Sequence, residues 1–339
     1  MKRSLFSYEL PEESIAYYPP NQRGTTRLLQ VHKNKKNYKS RMYKDIVDLL
    51  HKGDGLVINT TKVGKFRITT ESHLGKIELL FLHPIDTDEI EWKVRIGGIK
   101  NLPQNKLFEF GKNYRLEIFE KNELYFIRFI RGSARAFFLQ YGTVPIPPYL
   151  RRNAETIDEE RYNTLFSKQE QSVAAPTASL NMTDELLSQL RMKGVNIIEV
   201  ELYIGWGTFA PIHSENIEDH RIHEEYYVVP KEASDMIAHV RSLGKYIWAL
   251  GTTAARVLES VGRSDGTINS GEGWTNIYIY PGYTWNVVDH LITNFHAPES
   301  SLLAMVASFA GRECILDAYK YALEQDYKFL SYGDSMVIM

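Results

Sequence analysis

The chain has 339 residues, enough for one large domain or two ordinary ones. Its 40 basic and 42 acidic residues give a net charge of -2, so bulk charge gives no support for nucleic-acid binding. The single cysteine, Cys314, excludes an internal disulfide framework and a cysteine-built zinc site. Without a long apolar run or an apolar signal segment, a cytoplasmic protein with no membrane contact is expected.

The first 150 residues change from a helix and strand to a series of short strands. The apolar spacing of residues 43–51 predicts a short helix, and residues 55–59 have the composition of a buried strand. From about Val63 to Tyr141, short runs alternate apolar and polar residues, which favours a small antiparallel barrel or sandwich. Three prolines in residues 144–149 cannot continue a strand ladder and mark its end.

Beyond Arg151, predicted helices and strands alternate, a pattern typical of α/β structure. Helices are predicted at residues 184–193, 230–243, 254–261 and 313–326, and strands at 195–200, 246–250 and 287–292. We therefore expect an α/β core, with a mixed sheet and helices, built from residues 1–62 and 151–339. Residues 63–150 are expected to form an inserted antiparallel β-barrel domain.

Two glycine-containing turns each follow a predicted strand. Gly205 and Gly207 could bring the backbone close to a ligand, although the spacing alone favours a plain tight turn. Gly251 leads into Thr252 and Thr253 at the start of a helix, where free amides suit a carboxylate or phosphate. A simple helix cap is the alternative there.

The richest group of titratable residues spans residues 219–226 and includes His220, His223 and Glu225. It could be an acid/base site, a metal site or a solvated loop, and zinc would need a third ligand that the sequence does not place. His296 follows an apolar strand, and ligand sites of α/β proteins lie at such strand ends. A structural histidine is the alternative for His296.

The order of short motifs along the chain is more specific than any one of them. These motifs occupy residues 23–29, 53–63, 145–149, 160–164, 174–178, 273–283, 294–296, 309–313 and 331–334. Their succession resembles the S-adenosylmethionine:tRNA ribosyltransferase-isomerases of queuosine synthesis over nearly the whole length. The resemblance is most specific in the C-terminal half.

The resemblance implies an α/β core with an inserted β-barrel and a defined reaction. The family moves the ribosyl part of S-adenosylmethionine onto 7-aminomethyl-7-deazaguanine at the tRNA wobble position. The product is epoxyqueuosine, and adenine and methionine are released. S-adenosylmethionine is then a co-substrate, tRNA is the partner, no metal is required, and a monomer is expected.

The resemblance also suggests roles for the residues in the motifs. The proposed catalytic group is His296, His223 and Glu225. One of the two histidines is the base, and the carboxylate orients it or shares its role. The residues expected to hold an anionic end of S-adenosylmethionine are Gly251, Thr252, Thr253 and Arg256. Those expected to line the nucleoside pocket are Gly205, Gly207 and Thr208. Those expected to face tRNA phosphates are Arg23, Arg27 and Lys62.

Several polar positions depart from the family pattern. This chain has Thr60 where the family has an acid, Lys62 where it has an arginine, and Glu299 where it has a lysine. It has Asn181 and Tyr203 at two positions where the family has a histidine. An arginine-to-lysine exchange replaces a planar fork with a point charge. Two hypotheses follow: an active transferase-isomerase, or a divergent relative that binds S-adenosylmethionine, a nucleoside or RNA without this activity.

Overall fold

The computed structural model describes residues 1–33, 35, 37–72, 75–98, 106–205, 207 and 211–339. Contacts within the chain divide it into two units. The first comprises Met1–Thr61, Asn163–Lys168 and Pro176–Met339, and the second comprises Lys62–Tyr162 and Gln169–Ala175. The domain boundaries expected from the sequence, after residues 62 and 150, stay a prediction.

The strands of the described residues are short and are numbered here in chain order. They are β1 (Arg27–Val31), β2 (Tyr38–Met42), β3 (Gly55–Asn59), β4 (Lys62–Val63), β5 (Arg67–Ser72), β6 (Gly75–Pro84), β7 (Glu91–Gly97), β8 (Lys106–Phe110), β9 (Tyr114–Lys121), β10 (Leu124–Arg131), β11 (Glu170–Ser172), β12 (Asn196–Tyr203), β13 (Glu225–Val229), β14 (Ile247–Leu250), β15 (Gly271–Thr275), β16 (His290–Asn294) and β17 (Ser335–Ile338).

The α-helices of the described residues lie mostly in the first unit. They are α1 (Ile46–Leu49), α2 (Ala134–Tyr141), α3 (Thr156–Arg161), α4 (Asp184–Met192), α5 (Lys231–Ser242), α6 (Thr252–Val261), α7 (Ser301–Ala310) and α8 (Arg312–Glu324). Within the described residues, no helix is both long and apolar enough to cross a membrane.

The first unit is built on a mixed sheet, as the sequence predicted. The strand order in its described residues is β15-β13-β12-β3-β14-β16-β17-β1-β2. The centre is parallel, because β3 pairs in parallel with both β12 and β14, and β14 with β16. All five residues of β3 are buried, which fits a strand in the middle of a sheet covered on both faces.

The helices of this unit follow from local sequence signals. The hydroxyl of Thr183 accepts a hydrogen bond of 3.1 Å from the amide of Leu186, which confirms the predicted cap of α4. Leu186, Leu187 and Leu190 then lie on one stripe and pack into the core beside β3 and β14. Helix α7 escaped prediction because nearly all of its residues are buried, so it has no polar face to reveal a helical period.

The second unit contains an antiparallel sheet of strand order β5-β6-β7-β10-β9-β8 in its described residues. The alternation in β9 is the predicted one, with Tyr114, Leu116 and Ile118 buried. Strands β5 and β8 are the two edges and do not pair with each other in the described part, so the antiparallel sheet is established and its closure into a barrel is not. Helix α2, which the sequence did not predict, packs Phe137 and Phe138 against this sheet.

Asp54 secures the first residues of β3 and β14. Its buried carboxylate accepts hydrogen bonds from the amides of His51 and Tyr246, at 2.8 and 3.2 Å, and from the indole of Trp248 at 3.2 Å. Each buried donor left without an acceptor costs roughly 1–3 kcal/mol. One carboxylate therefore satisfies three donors at one end of the sheet.

Asp54→Ala is expected to lower the free energy of unfolding by about 2–4 kcal/mol, because it leaves those donors without an acceptor. Urea unfolding followed by circular dichroism measures the change. The control is Asp48→Ala on the exposed side of α1, where a loss below about 0.5 kcal/mol is expected. Equal losses for the two variants would contradict the role given to Asp54.

Candidate active site

A pocket in the first unit collects polar groups from several separate segments of the chain. It holds about 350 Å³, including the space open to solvent at its mouth. Its lining residues are Gly207, Ile222, Glu225, Arg256, Ile277, Tyr278, Ile279, Ser301, Leu302 and Met305. One wall is therefore aliphatic, and the charged groups come from β13 and α6. This combination of an apolar wall and a few polar groups is typical of a small-molecule site.

The charged part of the pocket is a buried ion pair between Glu225 and Arg256. Their exposed fractions are 3% and 4%, so neither charge is solvated. The Nη1 atom of Arg256 donates a hydrogen bond to Oε2 of Glu225. The amide of Gly205 donates to Oε1 of the same carboxylate at 2.9 Å. The end of β12, the start of β13 and the middle of α6 are thereby held together.

Part of this polar group remains unsatisfied. The Nε and Nη2 atoms of Arg256 are buried and have no hydrogen-bond partner among the described residues. The hydroxyl of Tyr278 is also buried and has no hydrogen-bond partner among the described residues. Burial raises the pKa of Tyr278, with smaller contributions from Glu218 and Tyr280, so its hydroxyl keeps its proton. Buried donors normally have partners, and these mark a place for a ligand that accepts hydrogen bonds.

Helix α6 is anchored a second time, one turn beyond Arg256. The buried carboxylate of Glu259 accepts hydrogen bonds from the amides of Asn286, Val287 and Val288 and from the hydroxyl of Tyr283, all between 2.9 and 3.2 Å. Glu259 thus has its own donors and does not compete for Arg256. Its contacts fix α6 against the loop that precedes β16.

The histidines of the cluster at residues 219–226 lie beside this pocket. A Cβ atom on Gly207 would lie 2.3 Å from the ring of His223, so this close approach requires glycine. His223 itself is exposed, and the ring of His220 contacts that of Tyr278 at 5.5 Å. Burial lowers the pKa of His220, and the neighbouring His223 adds to the effect. In the described part of the chain, no group of three potential ligands is placed to hold a metal ion.

His296 lies in a different environment. Its exposed fraction is 7%, its Nε2 atom lies 2.9 Å from the hydroxyl of Thr293, and its amide donates to the hydroxyl of Tyr319. Tyr8 donates to its carbonyl oxygen. Burial lowers the pKa of His296 to about 3, so the ring is neutral near pH 7. It is not among the residues that line the pocket.

The turn at Gly251 has the geometry that its sequence suggested. Gly251 adopts φ +97°, a region that favours glycine, and its amide donates to the carbonyl of Ile292 at 2.7 Å. Thr252 and Thr253 then begin α6, one turn before Arg256. The hydroxyl of Thr253 is buried and lacks a partner among the described residues. Thr208, the remaining residue of the predicted pocket group, lies outside the described residues.

The two arginines predicted to face tRNA make contacts within the protein. Arg23 donates to the carbonyl oxygens of Leu180 and Asn163, at 2.6 and 2.8 Å. The guanidinium of Arg27 lies 3.7 Å from the centre of the Tyr327 ring, a cation–π contact. Both side chains are therefore held by neighbouring segments. A role for them in tRNA binding stays a prediction.

Three of the positions that depart from the family pattern are not among the residues that line the pocket. Lys62, the third residue predicted to face tRNA, forms a partly exposed ion pair of 2.7 Å with Glu170. Thr60 is buried, and its hydroxyl donates to the carbonyl of Val200 at 3.4 Å. Asn181 is buried in the segment before α4. None of the three is among the residues lining the pocket.

The other two altered positions have local partners. The hydroxyl of Tyr203 donates to Glu201 at 2.8 Å, at the end of β12. Glu299 pairs with Arg3 at 2.9 Å, so the negative charge at this position is compensated. The altered side chains are thus accommodated by the surrounding structure.

Sequence reasoning missed the apolar wall and Tyr278. Ile277, Tyr278 and Ile279 belong to one of the motifs that carry the family resemblance, but the pattern does not show which of them face a ligand. Leu302 and Met305 lie on α7, whose continuous apolar sequence resembles ordinary core. The unsatisfied hydroxyl of Tyr278 is visible only in three dimensions.

The fold and the pocket together define an α/β protein with a candidate small-molecule pocket, joined in one chain to a second unit with an antiparallel sheet. The chain belongs to the family of queuosine biosynthesis proteins, whose family model matches residues 3–338. This match confirms the resemblance found in the motifs.

Individual relatives cover the whole chain. This chain is 41% identical over 342 residues to the S-adenosylmethionine:tRNA ribosyltransferase-isomerase of Sulfurihydrogenibium sp., and the match covers all of both chains. The protein of the same name from Aquifex aeolicus is also 41% identical over 342 residues, again with full coverage of both. The crystal structure of S-adenosylmethionine tRNA ribosyltransferase from Thermotoga maritima matches with a TM-score of 0.58 and 29% identity. That match covers 99% of this chain and 100% of the other.

Glu225→Gln is expected to lower the free energy of unfolding by about 3–5 kcal/mol, because it leaves the buried charge of Arg256 without a counter-ion. The double variant Glu225→Gln/Arg256→Met should recover most of the loss, since it removes both charges. Chemical denaturation of both variants, and of the single variant Arg256→Met, measures the coupling. Asp235→Asn, which breaks an exposed pair with Lys231, is the control and should cost less than about 1 kcal/mol. A double variant as unstable as the sum of its parts would contradict the pairing.

Acidification is expected to destabilise the fold through His296. The unfolded ring takes up a proton near its ordinary pKa of 6.5, whereas the folded ring does so only at about 3. Stability is therefore fully present above pH 6.5 and falls as the pH is lowered towards 3, by up to about 1.4 kcal/mol per pH unit.

The measurement is urea unfolding of the wild type and His296→Gln between pH 7 and pH 5. The stability difference between them should shrink as the pH falls, because the variant has no ring to protonate. The exposed His239, replaced by Gln, serves as the control. A difference that is constant over this range would refute the assignment.

Proposed function

We propose that this protein is an S-adenosylmethionine:tRNA ribosyltransferase-isomerase that acts in queuosine synthesis. The observation that carries the proposal is identity of about 41% to relatives of that name over the full length of both chains. The family match over residues 3–338 supports the same function. S-adenosylmethionine is then the co-substrate and tRNA the acceptor. A monomer that needs no metal remains the expectation.

The reaction sets demands on the site. The sulfonium of S-adenosylmethionine acidifies the adjacent C5′ protons, so a positioned base is needed to remove one. The glycosidic bond to adenine breaks, and an acid near the adenine ring assists its departure. The aminomethyl group of the acceptor base attacks as a neutral amine and then loses a proton. Each well-placed acid or base contributes roughly 10²- to 10⁴-fold.

The pocket beside Glu225 and Arg256 is the proposed site for S-adenosylmethionine. Glu225 orients Arg256, while Gly205 fixes the carboxylate and Gly207 forms part of the wall. His223 is the preferred base, because its ring lies against Gly207 and is open to solvent and to an incoming tRNA.

Two further assignments complete the proposal. His296 is kept as the second candidate base, although a pKa of about 3 makes its neutral ring a weak acceptor of protons. Gly251, Thr252 and Thr253 offer the N-terminus of α6 and one buried unpaired hydroxyl to a polar group of the substrate. Contact of tRNA with Arg23, Arg27 and Lys62, and closure of the second unit into a barrel, belong to the same proposal.

Adenine release from S-adenosylmethionine tests the function. Release should require tRNA that carries 7-aminomethyl-7-deazaguanine, and mass spectrometry of the tRNA should show epoxyqueuosine. His223→Ala should slow release about 10²- to 10⁴-fold with an unchanged fold, because it removes a general base. His239→Ala, an exposed histidine on α5, is the matched control and should keep the wild-type rate.

Two results would count against these assignments. Full activity of His223→Ala would remove it as the base and leave His296 to be tested in the same way. A folded wild-type protein that binds S-adenosylmethionine but releases no adenine with this tRNA would favour the divergent relative over the active enzyme. Product formation decides between the two hypotheses directly.

A further inference from the structure

The guanidinium of Arg256 presents one occupied side and one free edge. Its Nη1 atom donates to Glu225, which fixes the plane of the group. Its Nε and Nη2 atoms, which form the opposite edge, are buried and unpartnered among the described residues. Two parallel N–H groups on one edge match the two oxygens of a carboxylate. The free edge therefore selects a planar, bidentate anion.

Other groups near Arg256 support an anion at this edge. Tyr278 lines the same pocket and carries a protonated hydroxyl without a partner among the described residues. The nearby carboxylate of Glu259 is already bound by the loop at residues 283–288. A ligand anion at Arg256 thus meets donors that have no partner among the described residues.

The wall facing these donors is aliphatic. Ile222, Ile277, Leu302 and Met305 line the pocket together with the charged pair. Such a surface suits an unbranched chain of methylene groups ending at sulfur, because burial of each methylene contributes without a polar partner. A carboxylate next to a short apolar chain is the chemistry of the amino-acid part of S-adenosylmethionine.

We propose that Arg256 and Tyr278 bind the carboxylate of the methionine portion of S-adenosylmethionine, with its side chain against the aliphatic wall. This inference rests on the proposed function and adds Tyr278 to the site. Glu225 acts as a positioning residue, since it turns the free edge of Arg256 towards the ligand. The adenosine portion then extends towards His220 and His223, which contact the pocket residues Tyr278 and Gly207.

A backbone phosphate of tRNA is the other anion that such a fork could bind. Arg256 is 4% exposed and lies in the lining of the pocket. A guanidinium buried in this way suits a small molecule better than a polynucleotide backbone. The carboxylate and the phosphate are separated by the choice of ligands in the test.

The test is isothermal titration of two ligands, S-adenosylmethionine and its decarboxylated analogue, with Arg256→Lys and Tyr278→Phe. Lysine keeps a positive charge beside Glu225 but lacks the bidentate edge of arginine. Arg256→Lys should weaken S-adenosylmethionine binding roughly 10- to 100-fold and leave the analogue nearly unchanged. Tyr278→Phe should show the same selectivity with a smaller loss of about 3- to 10-fold.

Matched controls separate this effect from general damage. Arg263→Lys changes an exposed arginine just beyond α6, and Tyr280→Phe changes a tyrosine whose ring lies 5.0 Å from that of Tyr278. Both should bind the two ligands as the wild type does. Binding of tRNA, followed by fluorescence anisotropy, should be the same for Arg256→Lys and the wild type.

Three results would overturn the inference. They are equal losses for both ligands, no loss for either, and a loss confined to tRNA. Adenine release by the wild type is measured alongside, so the two proposals can fail separately. If adenine is released but Arg256→Lys weakens both ligands equally or neither, only this inference is overturned. If Arg256→Lys weakens only S-adenosylmethionine but the wild type releases no adenine, only the proposed function is overturned.

Discussion

The buried ion pair between Glu225 and Arg256 is the constraint on which the site depends. Two charges removed from water are tolerated only when geometry and additional hydrogen bonds compensate for lost hydration. Here the compensation comes from the amide of Gly205 and from the pairing itself. Since the partners lie on β13 and α6, any shift between these elements would expose an unpaired charge. The ion pair therefore holds β13 and α6 together at the wall of the pocket.

Much of the fold could be predicted because its elements carry simple signals. Strand β3 is apolar up to Asn59, and α4 has both a capping residue, Thr183, and an apolar stripe. Prediction failed where one of these signals is missing. Helix α7 is buried on all sides, and β15 contains two glycines in five residues, which disguises a strand. Closure of the antiparallel sheet into a barrel depends on pairing between strands that are far apart in the sequence, and no local sequence pattern predicts such pairing.

The candidate site could be predicted only in part from the sequence. Glu225 and Arg256 were both named from the sequence, but with separate roles, because they are 31 residues apart and meet only across two elements. The rule that ligand sites follow strand ends identified His296 as a candidate without showing that its ring is enclosed in the core. Tyr278 was missed because an unpaired hydroxyl is a property of packing.

The contact between Arg3 and Glu299 has a consequence for how this chain has diverged. Glu299 stands where the family resemblance leads one to expect lysine, and taken alone it resembles damage to a charged position. The arginine beside it means that the two sites form one compensated unit, in which the effect of either substitution depends on the other. A lysine placed at position 299 of this chain would meet Arg3 as a like charge. The negative charge at position 299 is therefore matched by its neighbour in this chain and is not an unpaired defect.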